Sequence, residues 1–152
     1  MGVYKQGQIL YFEPFYFLNG NTSKNKYFIV LKQVGEEIIV ASLPTSKDFV
    51  PRFITKIHGC LKSDEANFCC YYFEQDKPIT DNNWAFSRDT YLYAEQIDIY
   101  ELSLLTEMYK FEGIDYQVVG CLTQKEHQNL IDCVKDSKAI RRKVRRVLDD
   151  KI

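Results

Sequence analysis

Two apolar runs, Tyr27 to Gln33 and Glu37 to Leu43, constrain the fold more than any other feature of this chain. Their centres, Phe28-Ile29-Val30-Leu31 and Ile38-Ile39-Val40-Ala41, carry no charged residue. In extended backbone successive side chains point to opposite faces, so an unbroken apolar run asks for cover on both. Val34-Gly35-Glu36 between the runs is a turn-sized connection. The pair therefore predicts two neighbouring strands that are buried on both sides.

Other segments extend this β reading. Gln8 to Phe12, Phe68 to Phe73, Tyr91 to Gln96 and Asp115 to Cys121 are strand-like. Glu13-Pro14 ends the first, because proline cannot donate to a ladder, and Phe15 to Leu18 briefly resumes it. Asn19 to Asn25, Ser63 to Asn67 and Asp76 to Asn83 are polar and turn-prone, whereas Phe49 to Gly59 fits no class. A content of 11 Tyr and 10 Phe suits pleated, half-buried surfaces and favours sheet. Near the end, Thr123-Gln124-Lys125-Glu126 fits a capping box. Leu130, Ile131, Val134, Ile140, Val144, Val147 and Leu148 then recur at helical spacing, with an offset near Ser137. A helix is expected from Gln124 to Ser137, with a continuation to Asp149. The expected fold class is mostly β (α+β), a single domain over 1–152. It comprises a small β-barrel over 7–122 and a C-terminal helix or helix pair over 123–150.

Charge narrows the choice of partner. From Lys135 onward eight Lys or Arg face three Asp, while the remainder holds twelve basic and eighteen acidic residues. An acidic body with a basic end is not the footprint of an unspecific nucleic-acid binder, whose cations cover a broad face. No apolar run reaches the ~18 residues that span a bilayer, and the start lacks a signal-peptide pattern, so a cytoplasmic protein with no membrane partner is expected. Cys60, Cys69, Cys70, Cys121 and Cys133 are odd in number and lack disulfide-framework spacing. Adjacent Cys69 and Cys70 would point to opposite faces of a strand, so they do not readily share one ion. Structural thiols are expected, with no metal and no cofactor.

The order of these segments resembles the MazF/PemK/Kid family of toxin endoribonucleases. Gly7-Gln8-Ile9-Leu10-Tyr11-Phe12 looks like the family's opening strand, and Lys26-Tyr27 stands where Arg-Pro precedes its next apolar strand. Leu43-Pro44-Thr45-Ser46 is similar to the family's Pro/Ala-x-Thr-Ser/Thr signature. Phe86-Ser87-Arg88-Asp89-Thr90 and Glu95-Gln96-Ile97 match a later pattern, which breaks at Asp98-Ile99, where Arg-Thr is usual. The resemblance covers most of residues 7 to 140, with an insertion of roughly 15 residues between Pro51 and Phe68.

The resemblance implies an SH3-like barrel with a C-terminal helix, a homodimer, a small antitoxin partner, and metal-independent cleavage of single-stranded RNA. In that chemistry the ribose 2′-OH attacks the adjacent phosphate, so charge on the phosphoryl oxygens must be stabilised and protons moved. The implied catalytic residues are Lys26, Thr45, Ser46 and Glu95, with Tyr93 at the position of a second family arginine. Asn19, Asn21, Asn25, Tyr27 and Gln96 are the implied RNA contacts, by hydrogen bonding to base edges and by stacking. Lysine at position 26 keeps the charge but lacks the planar fork of arginine. A catalytically impaired barrel that binds RNA or protein is therefore the alternative. His58 and His127 fall outside the matched motifs. The terminal Arg141-Arg142-Lys143-Val144-Arg145-Arg146 segment reads as an amphipathic helix facing RNA, a partner, solvent or the acidic body.

Overall fold

The computed structural model describes residues 4–16, 20 and 23–149, and within them eight strands and three helices. The strands are β1 (Gln8–Phe15), β2 (Lys24–Val34), β3 (Ile38–Ser42), β4 (Gly59–Ser63), β5 (Phe68–Phe73), β6 (Thr90–Tyr93), β7 (Asp98–Glu101) and β8 (Tyr116–Cys121). The helices are α1 (Leu102–Met108), α2 (Gln124–Lys135) and α3 (Arg142–Asp149). The protein is thus mostly β, of the α+β class.

All strand pairs are antiparallel. One sheet has the order β7-β3-β2-β1-β8 and the other the order β4-β5-β6. The hydrophobic runs do what their pattern demands. On β2, Ile29 and Leu31 enter a core shared with the second sheet, α2 and α3, while Phe28 and Val30 enter another core beneath α1. On β3, Val40 takes the first side and Ile39 and Ala41 the second. The same period of two on β5 sends Cys69, Tyr71 and Phe73 inward, and Cys70 and Tyr72 to a smaller outer cluster. Each sheet fills a cluster on both of its faces, which takes large side chains and accounts for the aromatic excess. Phe12, Phe15, Phe28, Tyr100 and Tyr109 form one continuous ring cluster.

Several boundaries differ from expectation. β1 runs through Pro14 to Phe15, and its register against β2 shifts between Phe12 and Phe15, so the missing proline donor is absorbed by an irregularity. Tyr91 to Gln96 is a strand only to Tyr93, followed by a 3-10 turn over Ala94–Gln96. β4, β7 and α1 had no expected counterpart.

The C-terminal part is a helix pair. The Thr123 hydroxyl accepts from the Glu126 N–H at 3.2 Å, as a capping box requires. The Glu126 carboxylate does not close the box, because His58 (2.7 Å) and the Tyr71 hydroxyl hold it. The break at 136–141 leads into α3, whose apolar stripe packs inward: Ile140 and Val144 are buried, with Val147 and Leu148 against the same core. Its cations meet the acidic body. Arg141 and Lys143 reach Asp98 at 3.0 and 3.2 Å, and the Lys32 ammonium caps the Val147 and Leu148 carbonyls at 3.0 and 3.1 Å.

The expected five free thiols are corrected: Cys60 and Cys133 form a disulfide across 73 residues, and Cys69, Cys70 and Cys121 are free. Its partners lie on β4 and α2, far apart in the chain, so sequence spacing carried no trace of the pairing. No helix among the described residues is long and apolar enough to cross a membrane.

Candidate functional site

Lys26 sits on β2 opposite Phe12 of β1, where the ladder leaves the core and enters the polar loop side. Thr45 follows β3 by three residues and is fixed by two backbone bonds to Tyr91 of β6: its N–H donates to the Tyr91 carbonyl (3.0 Å) and its carbonyl accepts from the Tyr91 N–H (2.7 Å). This bridge joins the two sheets. The Thr45 hydroxyl accepts from the Lys47 N–H at 3.2 Å, a turn bond that orients the side chain while leaving its own proton to donate.

These strand ends converge on a hollow of about 360 Å³ lined by Tyr11, Asn25, Lys26, Tyr27, Pro44, Thr45, Ser46, Phe86, Ser87, Arg88 and Thr90. Lys26, Thr45, Ser46, Asn25 and Tyr27 are therefore brought together. Asn19 and Asn21 lie outside the described residues. Glu95 and Gln96 are exposed on the 3-10 turn and do not line the hollow.

Tyr93 is buried and has a different task. Its hydroxyl donates to the Lys47 carbonyl (2.6 Å) and accepts from the Phe49 N–H (2.7 Å), pinning the segment that follows Ser46. Asp48 and Lys56 pair at 2.5 Å on the same segment, with the Lys56 ammonium 3.2 Å from the Tyr91 hydroxyl. Ser46 is thus held on a braced loop even though it is exposed.

Arg88 is the residue that the sequence reading passed over. It lies inside the quoted Phe86 to Thr90 motif, exposed at the rim between Ser87 and Thr90. A guanidinium next to Ser87 inside a quoted motif was the available signal. It supplies the planar fork that Lys26 lacks.

The electrostatics favour an anion. Partial burial pushes the Lys26 pKa down, and Lys24 and Lys47 push it further, because each adds like charge. No ion pair to Lys26 or Arg88 occurs among the described residues. An anion in the hollow would relieve this repulsion. No carboxylate or imidazole lines it. The floor is aromatic: Tyr27 contacts Tyr11 at 4.7 Å, Phe86 edge-on at 5.1 Å and Trp84 at 5.5 Å between ring centroids. Cations, hydroxyls and ring faces together suit a phosphate with an attached base.

A second hollow, about 590 Å³, lies between β4, β5 and α2 and contains His58, Tyr71, Glu126 and the disulfide. The His58 ring is fully engaged, with Nδ1 accepting from the Glu74 N–H (3.1 Å) and Nε2 on Glu126 (2.7 Å). Burial alone would raise the Glu126 pKa, but the bonds from His58 and Tyr71 outweigh it and hold the carboxyl below its ordinary value. His127 Nδ1 is buried without a hydrogen-bond partner, and burial lowers that ring's pKa.

No family model, curated protein or solved structure matches this chain.

Proposed function

We propose that this protein is a MazF/PemK-like toxin, a metal-independent endoribonuclease that cleaves single-stranded RNA. The observation that carries the reading is convergence: Lys26 on β2 and Thr45 just past β3, nineteen residues apart in sequence, line one hollow of about 360 Å³. Lys26 and Arg88 hold the scissile phosphate, Arg88 by its fork and Lys26 as a point charge. Thr45 donates to a phosphoryl oxygen, and Ser46 supports it. The ribose 2′-OH loses its proton and attacks phosphorus, the bond to the 5′-oxygen breaks, and that oxygen gains a proton. The products are a 2′,3′-cyclic phosphate and a free 5′-OH. Lys26 stays charged in this role, and solvent water takes the first proton and returns one to the 5′-oxygen. Tyr27 and Tyr11 receive a flanking base, and Asn25 reads its edge.

The barrel form of the fold belongs to the same reading. Two isolated bridges link the sheets, Thr45 to Tyr91 at one seam and Thr80 to Leu122 at the other. Gly120 permits the second: a Cβ there would stand 2.6 Å from Asn82 Oδ1. These seams support an SH3-like roll closed from two sheets. The proposed homodimer has an apolar face available, where Tyr16, Leu104 and Met108 are exposed around a cleft between β7 and α1. A small antitoxin and a cytoplasmic setting complete the proposal.

A second reading, RNA binding without turnover, is favoured by one feature: the hollow holds neither carboxylate nor imidazole. Purified protein incubated with messenger RNA and a chelator separates the two. Fragments ending in cyclic phosphate, lost in Thr45→Ala, support the ribonuclease. RNA bound but left intact supports the binding module, and neither outcome rejects both.

A further inference from the structure

The second hollow contains chemistry that the proposed ribonuclease does not use. The β4–β5 register sets Cys60 opposite Tyr71 and Lys62 opposite Cys69. Cys60, Cys69 and Tyr71 therefore share the face of the sheet that carries α2, and Cys133 descends onto it from that helix. The three sulfur atoms of Cys60, Cys69 and Cys133 all lie within 4.8 Å of one another. Cys70, which follows Cys69 directly, turns to the opposite face with Tyr72. The pair that could not share an ion is thus replaced by a trio that can, its third member supplied by a helix over sixty residues away.

We propose that, when the Cys60–Cys133 bond is reduced, these three cysteines bind a thiophilic metal ion of the zinc class. A tetrahedral ion with metal–sulfur bonds of about 2.3 Å holds its sulfurs roughly 3.8 Å apart. Cys69 Sγ and Cys133 Sγ already stand 3.8 Å apart. Cys60 is exposed, so its side chain can move out to the third ligand position once freed. The fourth position opens onto the hollow of about 590 Å³. His58 does not fill it, because both ring nitrogens are engaged. Water or a small ligand from the hollow completes the sphere, as in other open three-ligand sites. Three thiolates select soft or borderline ions over magnesium or calcium.

The redox balance is simple. A dithiol donates two electrons and two protons, the Cys60–Cys133 bond opens to two thiols, and the dithiol closes to its own disulfide. Metal binding then releases the three thiol protons. Either state ties the same strand, β4, to the same helix, α2, so the hollow keeps its shape in oxidising and reducing surroundings.

The test uses the full chain, reduced anaerobically with a phosphine and titrated with Co²⁺ as the probe. The expected result is one equivalent bound with intense sulfur-to-cobalt charge-transfer absorption, bleached by Zn²⁺. Cys69→Ser should weaken binding at least tenfold yet still form the Cys60–Cys133 bond on oxidation, read by mass spectrometry. Cys121→Ser should bind as the parent does. If Cys69→Ser fails to fold, Cys60→Ala, at an exposed position, must show the same loss. Absence of the charge-transfer band in the reduced parent overturns the proposal. So does parent-like binding by Cys69→Ser or Cys60→Ala, or equal uptake by oxidised protein. Because the readout is spectroscopic, it stands or falls independently of RNA cleavage.

Discussion

Opening the Cys60–Cys133 bond should cost this protein a large part of its stability. The cross-link closes a loop of 73 residues that runs from β4 through β5, β6, β7, α1 and β8 into α2. In the chain-entropy picture, a loop of that length removes about 15 cal/mol/K from the unfolded ensemble, or about 4 kcal/mol at room temperature. Domains of this size are stable by only ~5–15 kcal/mol, so the loss is a substantial fraction. The assay is urea unfolding followed by circular dichroism, with and without a phosphine reductant and always with a chelator, so that no metal replaces the lost link. With a urea slope near ~2 kcal/mol/M, the midpoint should fall by about 2 M on reduction. The slope should also rise, because the uncrosslinked chain exposes more surface when it unfolds. Cys60→Ser, kept reduced, should unfold where the reduced parent does. A midpoint drop below roughly 0.5 M, or about 1 kcal/mol, would refute the reasoning. It would mean that the aromatic cores already restrain the unfolded chain, or that β4 and α2 gain nothing from being tied.

Other outcomes follow from the hollow and its supports. Thr45→Ala and Arg88→Ala should each lower RNA cleavage about a hundredfold, the usual cost of one transition-state donor, with fold unchanged by circular dichroism; an undiminished rate in either removes that residue from the site. Lys26→Gln should abolish cleavage yet raise the melting temperature. Its folded pKa lies below the unfolded value, so the charged form is penalised at every pH below that depressed pKa, and the penalty fades as pH climbs toward the unfolded value. A lower melting temperature at pH 7 would contradict this. Tyr93→Phe removes both anchors of the segment after Ser46 and should raise KM for RNA more than it lowers kcat, which steady-state kinetics would show. Leu104→Asp should halve the solution mass by light scattering if the α1 face joins two copies, and an unchanged mass would exclude that face.

The sequence made the sheet core legible because its strands alternate between two buried faces, and the run from Phe28 to Leu31 announces this directly. The Thr123 cap was equally plain, since it needs only local residues. β4 escaped notice because Leu61 is the only residue of Gly59–Ser63 that is buried, which leaves no period to read. β7 and α1 are four and seven residues long, too short to build a pattern. The meeting of Lys26 with Thr45 was anticipated from motif order. Arg88 was not, because its place beside them depends on the Thr45–Tyr91 bridge between sheets, a contact with no local signature. Glu95 lies off the hollow for the converse reason: a 3-10 turn follows Tyr93 in place of the expected continued strand.

The Thr45–Tyr91 bridge has a mechanical implication. Lys26 is borne by the five-stranded sheet, whereas Arg88 stands just ahead of a strand in the three-stranded one. On the proposed reading, RNA gripped by both cations would clamp the two sheets across this seam of their shared core. Tightness of that proposed grip and the angle between the sheets would then be one variable, so a ligand that opens the seam far from the hollow would loosen RNA without touching either cation.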